Sequence, residues 1–153
     1  MSIFSLFKKK DLFTQAENDR IVSAIKHCET STSGEIRVYI ENKNPLVDTL
    51  ERAAVIFNEL KMYETAERNA VLLYLAVQHK EVAVFGDTGI HTAVGDAYWQ
   101  QQVLLMLEHF RKGDLVTGIE QCILDVGQCL MEKFPYRKDL DKNELPDEIV
   151  FGK

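Results

Sequence analysis

Residues 69–96 read NAVLLYLAVQHKEVAVFGDTGIHTAVGD, and this stretch decides the fold. Its first part, VLLYLAV at 71–77, is a continuous run without a charged residue, which is typical of a strand buried on both faces of a sheet. Four polar residues follow at 78–81, and a second apolar run, VAVF, occupies 82–85. Two such runs joined by a short polar link predict an antiparallel hairpin at the centre of the domain.

The hairpin ends in a loop with two glycines. Gly86 and Gly89 flank Asp87 and Thr88, and glycine permits backbone turns that other residues resist. A helix is predicted to begin within a few residues. Loops at strand ends that lead into helices are where α/β proteins place ligands. We therefore expect a binding site, if the chain has one, at residues 86–96.

A strand and a crossover helix precede the hairpin. Residues 35–41, EIRVYIE, alternate polar and apolar and predict a strand buried on one face. Asn44 and Pro45 predict the start of a helix, with Asn44 as its N-cap and with Leu46 and Leu50 on its inward face. A strand–helix–strand unit of this kind predicts parallel strands joined by a right-handed crossover.

Three further helices flank this unit. Thr14 and Glu17 fit a capping box and predict the start of the first helix. Residues 97–110 predict a second helix, and Asp114 is placed to cap a third one, which Pro135 ends. The predicted inward face of the 97–110 helix consists of Val103, Leu104, Leu107 and Phe110.

The element order α-β-α-β-β-α-α predicts an α/β protein, a three-layer α/β/α sandwich with a small mixed β-sheet. We divide the chain into an N-terminal extension at 1–13, a domain at 14–135 and a charged C-terminal tail at 136–153. Within the tail, Ile149–Phe151 is apolar enough to dock on the domain.

Composition limits the possible function. The 153 residues are 46% hydrophobic, which suits one globular domain, and the net charge of −6 argues against nucleic acid as the main partner. No apolar run approaches the roughly 18 residues that span a bilayer, and no signal-peptide pattern is present. We expect a cytoplasmic monomer. The apolar and lysine-rich residues 3–10 either touch an anionic membrane surface weakly or pack on the domain.

The cysteines predict no metal or disulfide site. Cys28, Cys122 and Cys129 are odd in number and form no CxxC pair. Cys122 and Cys129 lie two turns apart in a helical pattern, so we predict buried thiols and a reduced setting.

Known catalytic motifs are absent or out of context. The sequence contains neither a P-loop nor a GxGxxG pattern, and its four histidines have no ligand spacing. Asp87-Thr88-Gly89 matches the aspartic-protease triplet, but it occurs once and in a largely helical chain. We interpret it as a turn.

The placement of acidic residues leaves two interpretations open. Asp87 and Asp96 flank the glycine-containing loop, and carboxylates with loop carbonyls suit Ca²⁺ or Mg²⁺. The alternative is that these residues cap helices and form turns. Glu41 and Asn44 follow the strand at 35–41 and should lie at the opposite end of the sheet, which works against one site that uses both sets.

Several ordered segments resemble the TPM domain family, which includes the thylakoid-lumen acid-phosphatase-like proteins and a short bacterial branch. The matching region runs from about Thr14 to Tyr136. It contains TSGEIRVYIE, RNAVLLYLA, HKEVAVFGDTGI, a Trp-containing helix, HFRKGDLVTGI and FPY, and the closing NELPDEIVFGK also resembles the bacterial branch.

The resemblance implies an α/β sandwich, divalent-cation binding in some members and a proposed phosphatase activity. The resemblance assigns the glycine pair to Gly86 and Gly89, the acidic residue before the next helix to Asp96, and an acid of the crossover helix to Glu51. Where the family has Asn-Gly, this chain has Asn69-Ala70. Genes of the bacterial branch often neighbour those of LemA-type membrane proteins, which implies a membrane-protein partner.

Three hypotheses follow. The first is an accessory module that binds Ca²⁺ or Mg²⁺ through Asp87, Asp96 and nearby carbonyls and assists membrane-protein maintenance. The second is a metal-assisted phosphomonoesterase, for which the sequence offers no nucleophile and only Arg37 and Arg68 as candidates to hold phosphate. The third is a metal-free interaction scaffold.

Overall fold

The computed structural model describes residues 12–137 and 145–152, and it confirms the α/β fold. The five helices of this part of the chain are α1 Gln15–Glu29, α2 Thr49–Glu59, α3 Thr88–Val94, α4 Asp96–Arg111 and α5 Leu115–Lys133. Its four strands are β1 Glu35–Glu41, β2 Ala70–Ala76, β3 Glu81–Gly86 and β4 Val150–Phe151. The short helix α3 and the strand β4 are additions to the predicted order.

The sheet is mixed, with the strand order β3-β2-β1-β4. β1 and β2 are parallel, as the crossover predicted, and Val38 lies opposite Leu73. β2 and β3 form the predicted antiparallel hairpin, in which Leu73 lies opposite Val84. All seven residues of β2 are buried, because the strand lies inside the sheet and helices cover both of its faces.

Each face of the sheet packs against its own helical layer. On one face, α1, α3, α4 and α5 cover a large core, to which the strands contribute side chains such as Val38 and Val84. On the other face, α2 covers a smaller core with Ala53, Ile56 and Phe57. The strands alternate their side chains between the two cores, which gives the predicted three layers.

The predicted start of α2 is wrong. Asp48 is the N-cap and accepts a hydrogen bond from the Glu51 amide at 3.0 Å. Asn44 is buried instead, because its amide donates to His79 Nδ1 and its side-chain oxygen accepts from the Leu46 amide. The chain therefore enters the helix four residues later than predicted. Leu46 and Leu50, predicted on its inward face, are 40% and 53% exposed.

The predicted inward face of α4 is partly wrong. Leu104 is 63% exposed, whereas Trp99 and Met106 are buried on this helix. The difference arises at the start of the helix, where Gly95 has φ +78° and Trp99 packs over Gly86. Val103, Leu107 and Phe110 pack against the core as predicted.

Local signals at the other helix ends are confirmed. Thr14 and Glu17 form a complete capping box at α1, and Asp114 caps α5 by accepting from the Thr117 amide. All three cysteines are free thiols; Cys28 and Cys122 are buried, but Cys129 is only half-buried. Burial raises the pKa of the Cys28 thiol, which keeps it protonated and unreactive.

The end of the chain returns to the sheet. Val150 and Phe151 pair with β1 in parallel, and Ile149 is buried in the large core, so the predicted docking of this segment is confirmed. Of the predicted N-terminal extension, only Leu12 and Phe13 are described, and Phe13 is buried in the same core. The possible membrane contact of residues 3–10 lies outside the described residues, and the boundaries at 14 and 135 stay predictions.

Candidate functional site

Asp87, the first predicted metal ligand, already has partners for both carboxylate oxygens. It is 3% exposed and forms a two-pronged ion pair with Arg68, with Nε–Oδ2 at 2.7 Å and Nη2–Oδ1 at 2.9 Å. Its Oδ1 also accepts from the Thr88 amide at 2.7 Å, because Asp87 is the N-cap of α3. The residue thus combines the predicted turn and capping role with an ion pair that the sequence did not reveal.

The two glycines of the loop allow close packing, and neither has a positive φ. At Gly86, a Cβ atom would collide with the Trp99 indole ring. At Gly89, a Cβ atom would collide with the carbonyl oxygens of Glu67 and Arg68, and the Gly89 amide donates to the Arg68 carbonyl at 2.8 Å. The glycines therefore fix the loop against its neighbours rather than turn the chain.

Asp96, the second predicted ligand, lies in solvent at the start of α4. Its side chain is 83% exposed, and Oδ1 lies 3.5 Å from His91 Nε2. Trp99 Nε1 donates to His91 Nδ1 at 3.0 Å, so the histidine carries its proton on Nε2, towards Asp96. The actual N-cap of the helix is Gly95, so Asp96 is not the predicted cap.

Glu51 lies apart from the other predicted ligands, in the exposed first turn of α2. The structure thus brings Gly86, Asp87 and Asp96 to one region and leaves Glu51 outside it. Within residues 12–137 and 145–152, no group of three or more histidine, cysteine, aspartate or glutamate side chains has an arrangement that could hold a metal ion.

A groove of about 920 Å³ runs along the β3 edge of the sheet and contains the predicted loop at one end. One wall is the start of α2, the other wall is α4, and β3 forms the floor. The lining residues are Val47, Asp48, Thr49, Leu50, Val82, Ala83, Val84, Phe85, Gly86, Asp87, Thr88, His91, Asp96, Trp99, Gln100, Val103 and Leu104.

The groove extends from one end of the sheet to the other. Glu81 accepts from Thr49 Oγ1 at 3.1 Å, which places the start of α2 at the beginning of β3. Gly86 lies opposite Val71, so the Asp87 end of the groove lies where β2 begins. The loops after β1 and β3 do lie at opposite ends of the sheet, as predicted, but both line the same groove.

The floor of the groove is an unpaired strand edge. The Asp87 amide donates to the Ala70 carbonyl at 2.9 Å. This bond determines which alternate residues of β3 direct their backbone groups towards β2. In an antiparallel ladder the polar backbone groups of alternate residues point away from the partner strand. Those of Val82, Val84 and Gly86 therefore point into the groove, and they have no backbone partner in the described part of the chain.

The rim of the groove is apolar and its ends are acidic. Val47 is fully exposed, and Leu50 and Leu104 project beside it from the two walls. Asp48 lies at one end and Asp96 at the other, and no lysine or arginine lies among the lining residues that the structure describes. The groove is therefore an apolar channel with negative charge at both ends.

The arginines that the sequence suggested for phosphate are not available in this groove. Arg37 is buried in β1, and burial lowers the pKa of its guanidinium. The guanidinium of Arg68 forms an ion pair with Asp87. Arg68 also has φ +53°, whereas Asn69 and Ala70 have no positive φ.

A second polar network, which the sequence did not reveal, lies under α2 and away from the groove. Glu41 is buried and pairs with Arg52 through two hydrogen bonds of 2.8 and 3.0 Å. The hydroxyl of Tyr74 donates to Glu41 Oε2. Burial and this hydrogen bond raise the pKa of Tyr74, which keeps the phenol neutral. The network satisfies its own charges and leaves no side chain aimed at a ligand.

The chain belongs to the TPM domain family, whose model matches residues 6–129. The structure is similar to the NMR structure of the BA42 protein from the psychrophilic bacterium Bizionia argentinensis, with a TM-score of 0.85 and 37% identity over 95% of this chain and 99% of that one. No curated protein sequence matches. Among the described residues, no helix is both long and apolar enough to cross a bilayer.

Two more distant structures share the fold. The N-terminal domain of the cg2496 protein from Corynebacterium glutamicum has a TM-score of 0.63 and 15% identity, over 80% of this chain and 76% of that one. The N-terminal domain of a P. gingivalis protein has a TM-score of 0.62 and 14% identity, over 84% of this chain and 85% of that one.

Proposed function

We propose that this TPM domain is a non-catalytic binding module and that the groove along β3 receives a segment of a protein partner. The observation that carries the proposal is the combination of an apolar channel of about 920 Å³ with an unpaired strand edge at its floor. Sites that bind ligands are concave and mostly apolar with a few directed polar groups, and this groove has that character. A membrane protein of the LemA type, the expected partner, would present the segment outside the bilayer.

The polar side chains of the groove support binding better than catalysis. Asp87 is held by Arg68 and by the Thr88 amide, and His91 is held by Trp99. A phosphate ester in the groove would meet three aspartates, Asp48, Asp87 and Asp96, and no described lysine or arginine among the lining residues. Catalysis needs a nucleophile or base within reach of a free reacting position, and the described side chains that line the groove offer none that is free and directed.

The test is a selection of groove-dependent ligands. A displayed library of random heptapeptides is selected on the wild-type chain, and binders are counted again on the Leu104→Glu variant. Leu104 is 63% exposed, so the new charge should block the groove without unfolding the domain. Leu105→Glu is the matched control, because Leu105 is an exposed neighbour outside the groove. Peptides that bind both variants equally would contradict the proposal.

Cation binding at the Asp96 end is a second candidate function. The observation in its favour is the exposed Asp96 carboxylate, which lies beside His91 and lines the same groove as Gly86 and Asp87. Oxygen ligands of this kind suit Ca²⁺ or Mg²⁺. Gly86 would contribute its carbonyl oxygen, because the Asp87 carboxylate is held by Arg68 and the Asp87 carbonyl accepts from the His91 amide at 2.8 Å.

An NMR amide-shift titration with Ca²⁺ and then Mg²⁺ tests this candidate. Saturable shifts confined to residues 86–96, lost in Asp96→Asn and kept in Glu108→Gln, are the expected result. Glu108 is the matched control because it is an exposed acid of the same helix. Equal shifts in both variants would show diffuse attraction to a chain of net charge −6 and would exclude this site.

A further inference from the structure

We propose that the groove binds its partner as an added β-strand, an extended segment that pairs with β3 and carries basic residues at its ends. This inference rests on the proposed function, since it specifies the occupant of the same groove. An extended peptide that joins a free sheet edge gains affinity from main-chain hydrogen bonds and specificity from its alternate side chains.

The backbone of β3 offers hydrogen-bonding groups to an added strand. Val82, Val84 and Gly86 direct their N–H and C=O groups away from β2, and these groups lie at the floor of the groove. The three residues span about 13 Å at the rise of a strand. A partner segment of about five residues could therefore pair with all three of them.

Within residues 12–137 and 145–152, the β3 edge also lacks the usual protection. Proteins usually shield an edge strand with lysine, proline, a bulge or a covering element. In β3, Glu81 is the one charged residue and proline is absent, and the pairing with β2 is continuous over six residues. An edge this regular is a template for another strand.

The walls of the groove favour a single strand over a second copy of the domain. β3 lies between the start of α2 and α4, with Leu50 on one wall and Leu104 on the other. Two such edges would bring their helical walls together before their strands met. A lone extended segment passes between the walls and places its alternate side chains against one wall and the other.

The charge of the groove specifies the ends of the segment. Asp48 and Asp96 lie at opposite ends of the channel, and the side chains between them are mainly apolar. The complementary segment has an alternating apolar centre and a lysine or arginine on each side. Charges at the rim mainly steer association and fix the register.

The experiment is N-methyl scanning of a heptapeptide selected by the library. In a paired strand, alternate peptide N–H groups point at β3 and the others point at solvent. Methylation of the inward set should weaken binding by about tenfold or more, which corresponds to about 1.4 kcal/mol, and methylation of the outward set should change it little. The amides of Val82, Val84 and Gly86 should also gain protection from hydrogen exchange.

The outcomes separate the two proposals. Alternating sensitivity with protection of these three amides supports the added strand. A peptide that needs Leu104 but shows no alternation overturns the added strand and leaves the groove as a binding site. Failure to select any groove-dependent peptide overturns both. If the selected heptapeptide binds Asp96→Asn more weakly than the wild type and binds Glu108→Gln equally well, the basic ends of the segment are supported. If it binds Asp96→Asn as tightly as the wild type, the basic ends are removed from the proposal.

Discussion

The two edges of the sheet are built differently. The β4 edge is two residues long and is anchored by Ile149 in the core, whereas the β3 edge is six residues long and lies open in a groove. A short strand offers little template for association, and a long regular strand offers much. Among the described residues, one edge is anchored and the other is open, which is the pattern expected when one edge binds and the other only closes the fold.

The β4 edge, the closed edge of the sheet, is also held by the carboxyl groups of Glu35, which is buried, and Glu29, which is half-buried. Glu35 accepts from the Leu145 amide at 3.1 Å, and Glu29 accepts from the Ile36 amide at 3.0 Å. Burial, together with hydrogen bonds to Asp147 and Glu35, raises the pKa of Glu29 well above its ordinary value. Folding therefore favours the protonated form of Glu29, which links α1, β1 and the C-terminal segment.

The largest effect is expected from Ile149→Ala at the closed edge. Ile149 is buried in the large core, and truncation of a buried isoleucine costs about 2–5 kcal/mol. Urea denaturation measures the loss, and hydrogen exchange should show faster opening of β4 than of β2. A loss below about 1 kcal/mol would mean that the edge is closed by something other than this side chain.

Gly86→Ala should have the next largest effect, at the open edge. The new Cβ would collide with Trp99 and lie 3.1 Å from Ile90 Cγ2, so the indole ring must move. Overpacking of this kind costs about 1–3 kcal/mol. Trp99 is the single tryptophan of the chain, so its fluorescence reports the displacement directly.

Gly95→Ala is the control for that substitution. Gly95 has φ +78° and no atom near its missing Cβ, so alanine strains the backbone without touching Trp99. Both variants should lose stability, but the tryptophan emission should shift in Gly86→Ala alone. An equal shift in the two variants would contradict the packing described for the groove.

An effect that depends on pH is expected from Glu29→Gln. The folded state keeps the Glu29 proton up to its raised pKa, whereas the unfolded chain loses it near the ordinary value of 4.5. The free energy of unfolding should therefore fall as the pH rises between these values. Glutamine imitates the protonated acid, so the variant should match the wild type below pH 4.5 and exceed it at pH 7 and 9, by about 1.4 kcal/mol for each unit by which folding raises the pKa within that range.

Urea denaturation at pH 5, 7 and 9 measures this difference. Glu132→Gln is the control, because it removes the same charge from an exposed position on α5. Parallel stability curves for the wild type and Glu29→Gln would mean that Glu29 titrates alike in the folded and unfolded states. The closed edge would then not depend on a shared proton.

Local sequence signals were sufficient for most of the fold. The uniform run in β2 and the capping residues Thr14 and Asp114 act over a few neighbours, and each is confirmed. The alternation in β1 located the strand, but the prediction that only one of its faces is buried is wrong, because Glu35, Arg37 and Glu41 are buried as well. Asn44 failed as a cap because its amide meets His79, which lies 35 positions away. A capping pattern cannot reveal that a distant side chain already holds the capping residue.

The site depended on contacts that no local pattern contains. Asp87 was identified at the right loop, but its ion pair joins it to Arg68, 19 positions earlier. The groove requires α2 and α4 to flank the same strand edge, and this follows only from the three-layer packing. The ordered segments quoted from the sequence did identify the family, because they depend on residue identity rather than on tertiary geometry.

The smallest effect on stability is expected from Leu104→Ser, although its effect on binding should be large. Leu104 is 63% exposed on the groove wall, so its removal should change the free energy of unfolding by no more than about 0.5 kcal/mol. The same change removes apolar surface that a bound strand would cover, which should weaken the selected heptapeptide several-fold. Isothermal titration calorimetry and urea denaturation of one preparation give both quantities. If Leu104→Ser binds the peptide as well as the wild type does, the β3 edge binds without a contribution from this wall of the groove. If the variant loses stability instead, Leu104 belongs to the core.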